Sequence, residues 1–128
     1  MDVMQLRRRL LFNGTKWIEI INSQGLNRSY NSYSAMPNRC RTNDIYISAG
    51  QTMIIEIEGF DVAVGTWNAN TKANVLYGGW NRNKNYTPAV DVLCKLVFRK
   101  TDNDSYVFTD DELRGLLKIT VGNTMYLH

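Results

Sequence analysis

The sequence DIYISAGQTMIIEIEG, residues 44–59, decides the fold more than any other stretch of the chain. Apolar side chains recur at every second position on both sides of a break at residues 49–51, and this two-residue period is typical of β-strands. They are Ile45 and Ile47 before the break, and Met53, Ile55 and Ile57 after it. The pattern predicts a β-hairpin or a β-arch. Because only one face of each strand is apolar, the pair needs a second apolar sheet to cover it.

The same period recurs in shorter runs along the rest of the chain. We predict strands over residues 15–21, 60–67, 75–80, 91–100 and 116–121. Residues 91–100 should form a central strand, because Val92, Cys94, Leu96 and Phe98 all fall on one face. Short strands at regular spacing, joined by polar turns, predict an all-β domain that is either a β-sandwich or a barrel.

Two segments between these strands carry other patterns. Residues 22–43 are rich in Asn, Ser, Arg and Tyr without a sustained period, so we predict a long polar connection there. Thr109 is followed three residues later by Glu112, which is the spacing of a helix capping box. We therefore predict one short helical turn over residues 109–115.

Composition sets the class of protein. A chain of 128 residues, 44% hydrophobic and 21% charged, suits one globular domain. Cys40 and Cys94 form no close pair and the chain has one histidine, so we predict free thiols and no zinc site. No apolar run approaches the ~18 residues of a membrane span, and the apolar stretch near the N-terminus is too short for a signal peptide. We expect synthesis in a cytoplasm and no membrane insertion.

The first fourteen residues read as an arm that precedes a domain of residues 15–128. Apolar side chains flank a run of three arginines, and the segment is short for a stable isolated helix. The residues that we expect to mediate assembly are Leu6, Arg7, Arg8, Arg9, Leu10, Leu11 and Phe12. Phosphate binding and a solvated tail are the alternatives. A net charge of +3 is mild for a nucleic-acid binder, so no nucleic-acid partner is expected.

The order of segments over residues 44–122 resembles the jelly-roll modules of bacteriophage virion proteins, especially tail-fibre, baseplate and head-fibre components. The resemblance is carried by the glycine-containing turn at residues 49–51, the cationic strand end Phe98-Arg99-Lys100, the acidic turn after it, and the DDEL segment at residues 110–113. The opening MQLRRRLLF is also similar to the starts of such proteins. This resemblance implies a carbohydrate-binding-like jelly-roll sandwich, often trimeric, that serves as a virion fitting or a receptor-binding head.

Aromatic and amide side chains are interleaved between residues 67 and 86. Aromatic rings stack on the apolar faces of sugars, and neutral amides hydrogen-bond to sugar hydroxyls. The candidate carbohydrate-binding residues are Trp67, Asn70, Tyr77, Trp80, Asn81 and Tyr86. The alternative for any of these rings is packing in the core or at a subunit interface, where Trp and Tyr are also enriched.

No set of residues in the sequence suggests catalysis. The one histidine, His128, is the last residue, and Glu56 and Glu58 share a strand face where a solvated pair is more common than a glycosidase pair. An acidic cluster around two turns suits either calcium or turn and cap chemistry. It consists of Asp102, Asp104, Asp110, Asp111 and Glu112. We predict no enzyme, no cofactor and no metal.

The sequence thus favours a jelly-roll β-sandwich with one short helical turn and an N-terminal arm. Our first hypothesis is a non-enzymatic structural component of a bacteriophage virion, located in the tail, baseplate or head, whose arm binds other virion proteins or sister subunits of a homotrimer. The second is a module that binds a polysaccharide on the host surface. A cytoplasmic protein-binding module is the third.

Overall fold

The computed structural model describes residues 15–26, 33–68, 73–81, 84–109 and 112–127. These residues form strands, turns and connections, and no helix is assigned among them. The predicted all-β class is confirmed, and the strands form two sheets, consistent with a β-sandwich. Within the same ranges, no helix is long and apolar enough to cross a membrane.

Eleven strands are present among the described residues, and residues 101–117 form the connection between the ninth and the tenth. In chain order they are β1 (Thr15–Trp17), β2 (Ile20–Leu26), β3 (Tyr33–Thr42), β4 (Ile45–Ile47), β5 (Met53–Glu56), β6 (Phe60–Asn68), β7 (Ala73–Asn81), β8 (Lys84–Tyr86), β9 (Val92–Lys100), β10 (Lys118–Val121) and β11 (Thr124–Leu127).

Sheet A has the strand order β1-β11-β10-β5-β8. Its central strand, β10, is antiparallel to β5 on one side and to β11 on the other. The β10–β11 hairpin turns at Gly122, whose φ of +55° lies in the left-handed region that glycine adopts without strain. β1 runs parallel to β11, with Trp17 opposite Leu127, so the first described strand pairs with the last.

Sheet B has the strand order β2-β3-β9-β6-β7, and β4 also pairs with β9. The prediction that residues 91–100 form a central strand is confirmed, because β6 lies along one edge of β9 while β3 and β4 share the other. The β9 ladder is interrupted between β3 and β4. There the buried Thr42 Oγ1 accepts a hydrogen bond of 2.9 Å from the Leu96 N–H, so this amide has a partner.

The stretch at residues 44–59 forms a β-arch rather than a hairpin, because β4 belongs to sheet B and β5 to sheet A. The arch is held by the segment that precedes β9. The Gly50 N–H donates to the Pro88 carbonyl at 2.9 Å, and the Ala49 N–H donates to the Asp91 carboxylate at 2.8 Å. Gly50 has a φ of +80°, which permits the sharp change of direction.

One apolar core joins the two sheets. The alternating burial of β4 and β5 matches the sequence period, since their apolar side chains are buried and Tyr46, Ile54 and Glu56 face outward. The Cys94 Sγ atom on sheet B lies 4.0 Å from the Met53 Sδ atom on sheet A. The largest fully buried side chains include Phe98, Ile45, Ile47, Met53, Ile55, Leu96, Leu113 and Ile119.

The prediction of a polar connection over residues 22–43 was wrong, because most of this segment belongs to β2 and β3. Cys40, predicted to lie in a loop, is fully buried in β3. The predicted strand over residues 15–21 is two strands that belong to different sheets, and the chain crosses between them at Ile18 and Glu19. β11 was not predicted.

The short helical turn is not confirmed, since residues 112–116 are assigned as hydrogen-bonded turns. One part of the predicted capping box is present, because the Glu112 carboxylate accepts a hydrogen bond of 3.2 Å from the Thr109 N–H. Asp110 and Asp111 lie outside the described residues, as does the arm of residues 1–14.

Candidate functional site

The predicted carbohydrate-binding residues are distributed over both sheets. Trp67 lies near the end of β6 and Trp80 near the end of β7, both in sheet B. Tyr86 lies in β8 of sheet A, where it pairs with Met53 and packs against the core. The backbones of Tyr77 and Asn81 pair with Val64 and Val62. The side chains of Tyr77 and Asn81, and the whole of Asn70, lie outside the part of the chain that the structure describes. Trp67 pairs with Asn74, whereas Asn81, next to Trp80, pairs with Val62. The two tryptophans therefore lie towards opposite ends of the β6–β7 pair.

Trp80 packs on the outer face of sheet B, over the small buried patch formed by Ala63 and Val97. Two guanidinium groups lie close to its ring, because the Arg39 and Arg99 Cζ atoms are 5.0 and 4.6 Å from the ring centroid. Cation–π contacts of this kind hold a tryptophan in one orientation. Trp80 is therefore a packed, half-exposed ring within a cationic surface.

The two arginines that contact Trp80 are themselves paired with carboxylates. Arg99 Nε lies 3.2 Å from Asp61 Oδ2, and Arg39 Nη2 lies 2.7 Å from Asp104 Oδ1. Asp61 also accepts a hydrogen bond of 2.8 Å from the Thr101 hydroxyl. These pairs tie the acidic turn after β9 to the outer face of sheet B.

This acidic turn borders a cavity of about 290 Å³ lined by Asp61, Arg99, Lys100 and residues 102–104. The calcium alternative concerned two carboxylates at this place, Asp102 and Asp104. Asp61 and Asp104 face arginines, and two cationic side chains line the same cavity, which disfavours a divalent cation. Across the described residues, no group of three or more His, Cys, Asp or Glu side chains is arranged to hold a metal ion.

A second aromatic surface lies farther along the outer face of sheet B. Tyr46, Leu93 and Trp67 occupy one cross-strand row, since Tyr46 pairs with Leu93 and Leu93 with Trp67. Two strand spacings of ~4.8 Å place the backbones of the two aromatic residues roughly 10 Å apart. Tyr46 is 50% exposed. Tyr46 was not among the candidate carbohydrate-binding residues, although its position between Ile45 and Ile47 in the sequence already indicated an outward ring.

The outer face of sheet A also exposes apolar side chains. Trp17 on β1 is 76% exposed, and Leu116 and Ile54 are 54% and 41% exposed. Ile54 and Leu116 line a groove of about 470 Å³, together with Glu56, Glu58, Asn85 and Lys118. Exposed apolar patches rimmed by polar residues mark interaction sites.

The described cysteines and glutamates are either buried and neutral, exposed to solvent, or hydrogen-bonded to a neighbouring side chain. Burial raises the pKa of the Cys40 and Cys94 thiols, and Glu112 and Asp44 respectively raise these pKa values further. Both thiols are free, as predicted, but they are neutral and shielded from solvent. Glu56 and Glu58 are exposed, and Glu56 lies 3.7 Å from Lys118. Glu112 is hydrogen-bonded to the Tyr106 hydroxyl, and this bond raises the pKa of Tyr106.

No protein-family model, curated protein or solved structure matches the chain. The predicted assembly segment, residues 6–12, lies outside the described residues, and so does His128. The features of the chain that suggest a function are the two outer faces and the sequence of the arm.

Proposed function

We propose that the chain is a non-enzymatic structural component of a bacteriophage virion, which acts by assembly with copies of itself and with other virion proteins. The observation that carries this proposal is the exposed apolar outer face of sheet A around Trp17. A tryptophan that is mostly exposed on a folded domain is typical of the centre of a protein interface. Trp17 stands three residues after the arm, so the arm and this face can act together.

The strand succession supports the finer proposal that the sandwich is a jelly roll. From β4 to β10 the chain visits sheets B, A, B, B, A, B and A in turn. Crossing between two facing sheets in this way is characteristic of double Greek-key sandwiches. β11 lies beside β10 and separates it from β1.

The assembly function is tested by the molar mass in solution, measured by light scattering over a range of concentrations. We expect the full chain to form a homotrimer of the 14.7 kDa subunit. Trp17→Ser should shift the population towards the monomer. Tyr46→Ser is the matched control, because it removes an exposed aromatic side chain from the other sheet and should leave the mass unchanged. A full chain that stays monomeric at all concentrations would contradict the proposal.

The virion setting is tested separately. We expect mass spectrometry of purified phage particles to detect peptides of this chain at the copy number of a structural protein. Particles that lack the chain would overturn the virion part of the proposal, even if the protein self-associates.

Glycan binding is the second candidate function, and the Tyr46–Leu93–Trp67 row favours it. The two aromatic rings lie on one sheet face with the apolar Leu93 between them. Such rings can stack against consecutive sugar units. We expect the double variant Tyr46→Ala/Trp67→Ala to lose binding to any polysaccharide that a glycan array identifies. Trp17→Ala should bind like the unmodified chain. An array without hits would remove this candidate.

A further inference from the structure

We propose that the groove on the outer face of sheet A binds residues 6–12 of a neighbouring copy of the chain. This inference rests on the proposed assembly function and names the surface that receives the arm. The groove has a volume of about 470 Å³ and lies over β5, between β8 and the turn that precedes β10.

The groove offers an apolar floor with a charged rim. Ile54 and Leu116 are substantially exposed, and burying them would release water from apolar surface. Glu56 and Glu58 supply two exposed carboxylates. Among the described residues that line the groove, Lys118 is the only cation. It is 3.7 Å from Glu56, and both side chains are about half exposed. Such a surface pair contributes little, so an incoming guanidinium can replace the lysine.

The arm has the complementary chemistry. Leu6, Leu10, Leu11 and Phe12 flank the three arginines at positions 7–9. These arginines carry as much positive charge as the net +3 of the whole chain. Arginine binds carboxylates through a planar pair of hydrogen bonds, which suits docking beside Glu56 and Glu58. Apolar side chains on both sides of the arginines would then cover Ile54 and Leu116.

The length of the arm permits this contact. The arm enters the fold at Thr15 on β1, and Ile54 on β5 is three strands away in sheet A, or about 14 Å at ~4.8 Å per spacing. Residue 6 precedes Thr15 by nine residues, which span up to about 30 Å when extended. An extended arm is thus long enough to pass its own β1 edge and contact a neighbouring copy. If every copy donates its arm to the next, the contacts are head-to-tail and can close into a ring of three.

The first experiment reverses charges in the full-length chain. Changing Arg7, Arg8 and Arg9 together to Glu should weaken self-association at least tenfold, measured by sedimentation. Glu56→Arg/Glu58→Arg should do the same, and the combination of both sets should restore association. Only direct ionic contact gives this rescue. Glu19→Arg, an exposed change on the β1–β2 crossing, is the matched control and should not rescue the arm variant.

The second experiment identifies which copy supplies the arm. Leu11→Cys and Leu116→Cys are made in separate full-length chains, which are mixed and oxidised, and the native thiols do not compete because both are fully buried. We expect a covalent dimer between the two variants on a non-reducing gel. A chain that carries both changes should form linked multimers. A fast-migrating monomer from that double variant would overturn the proposal in favour of docking within one copy, and absence of any cross-link would overturn it altogether.

Failure of this inference is distinguishable from failure of the assembly function. If reversal of the arm charges dissociates the oligomer but reversal at Glu56 and Glu58 does not, the arm drives assembly through another surface and the groove assignment is wrong. If the unmodified chain never associates, the assembly function itself is wrong.

Discussion

Thr42 is the residue at which the edge of β9 changes partner from β3 to β4. Its side chain is fully buried, and its Oγ1 atom accepts the Leu96 N–H at 2.9 Å. Thr42→Val keeps the shape of the side chain but removes the acceptor, so the Leu96 amide would be buried without a partner. We expect a loss of about 1–3 kcal/mol in the free energy of unfolding, measured with urea.

Thr42→Ser is the matched control for this change. Serine keeps the oxygen and loses only a methyl group, so it should destabilise the protein by about 1 kcal/mol, as expected for one buried carbon. If the valine variant were as stable as the serine variant, the hydrogen bond from Leu96 to Thr42 would not contribute to the stability of the protein.

The buried thiols predict a dependence of stability on alkaline pH. Burial raises the pKa of Cys40 and Cys94 above the ordinary value of 9.0, so above that pH the unfolded chain binds fewer protons than the folded chain. Stability is therefore fully present below pH 9 and falls as the pH rises. Two thiols give a slope of up to about 2.7 kcal/mol per pH unit. Tyr106 and Tyr126, whose pKa values are also raised, add to the fall above pH 10.

Urea unfolding between pH 7 and 10.5 measures this slope. The variant Cys40→Ala/Cys94→Ala should be less stable at neutral pH but should lose stability more slowly at alkaline pH. Parallel curves for the two proteins would show that the thiols do not ionise on unfolding in this range.

At the scale of elements, the sequence predicted the strands whose apolar residues recur at every second position. It missed β3, whose buried polar residues have hydrogen-bond or ion-pair partners elsewhere in the chain. β4, β5, β6 and β9 carry a clear period and were recognised. β3 contains Arg39, Arg41 and Thr42, all buried. Each of the three has a partner in another segment: Arg39 pairs with Asp104, Arg41 Nε donates to Gln24 Oε1 at 3.0 Å, and Thr42 accepts from Leu96. No local pattern reports such partners, so this segment reads as a loop.

The candidate site followed the same rule. The sequence indicated a ring-rich segment as a candidate site. Only the strand register separates Tyr86, which packs against the core, from Trp67 and Trp80 in sheet B. The same register adds Tyr46, which lies twenty-one residues before Trp67 in the chain but shares its cross-strand row. The sequence does not show that Tyr46 and Trp67 share a row, because β4 and β6 each pair with β9 and not with each other.

The β-arch gives a prediction at this scale. Gly50 has a φ of +80°, and a Cβ atom added there would meet no atom within 4 Å. Gly50→Ala therefore costs only backbone strain, about 1–2 kcal/mol. Gly50→Asn should cost less, because asparagine tolerates left-handed backbone. Thermal unfolding checks the order, and equal losses for both variants would contradict it.

For the whole molecule, the shared core predicts that the two sheets unfold together. Ile119 is fully buried in β10 of sheet A. Ile119→Ala should cost about 2–5 kcal/mol. It should also speed the global hydrogen exchange of amides in β9, although β9 belongs to sheet B. The control Thr120→Ala, next to it and half-buried, should change stability by about 0.5 kcal/mol or less.

Faster exchange confined to the strands of sheet A would show that the sheets open independently. Coincident unfolding curves from circular dichroism and tryptophan fluorescence would agree with one cooperative unit.

The parallel pairing of β1 with β11 also fixes an order of events on the ribosome. Trp17 is translated long before Leu127, and at roughly 5–20 residues per second the interval is on the order of 5 to 20 s. During that time the nascent chain carries β1 without the strand that it pairs with. A chaperone that recognises exposed apolar segments has this interval in which to bind, and translation arrest before β11 would leave β1 unpaired.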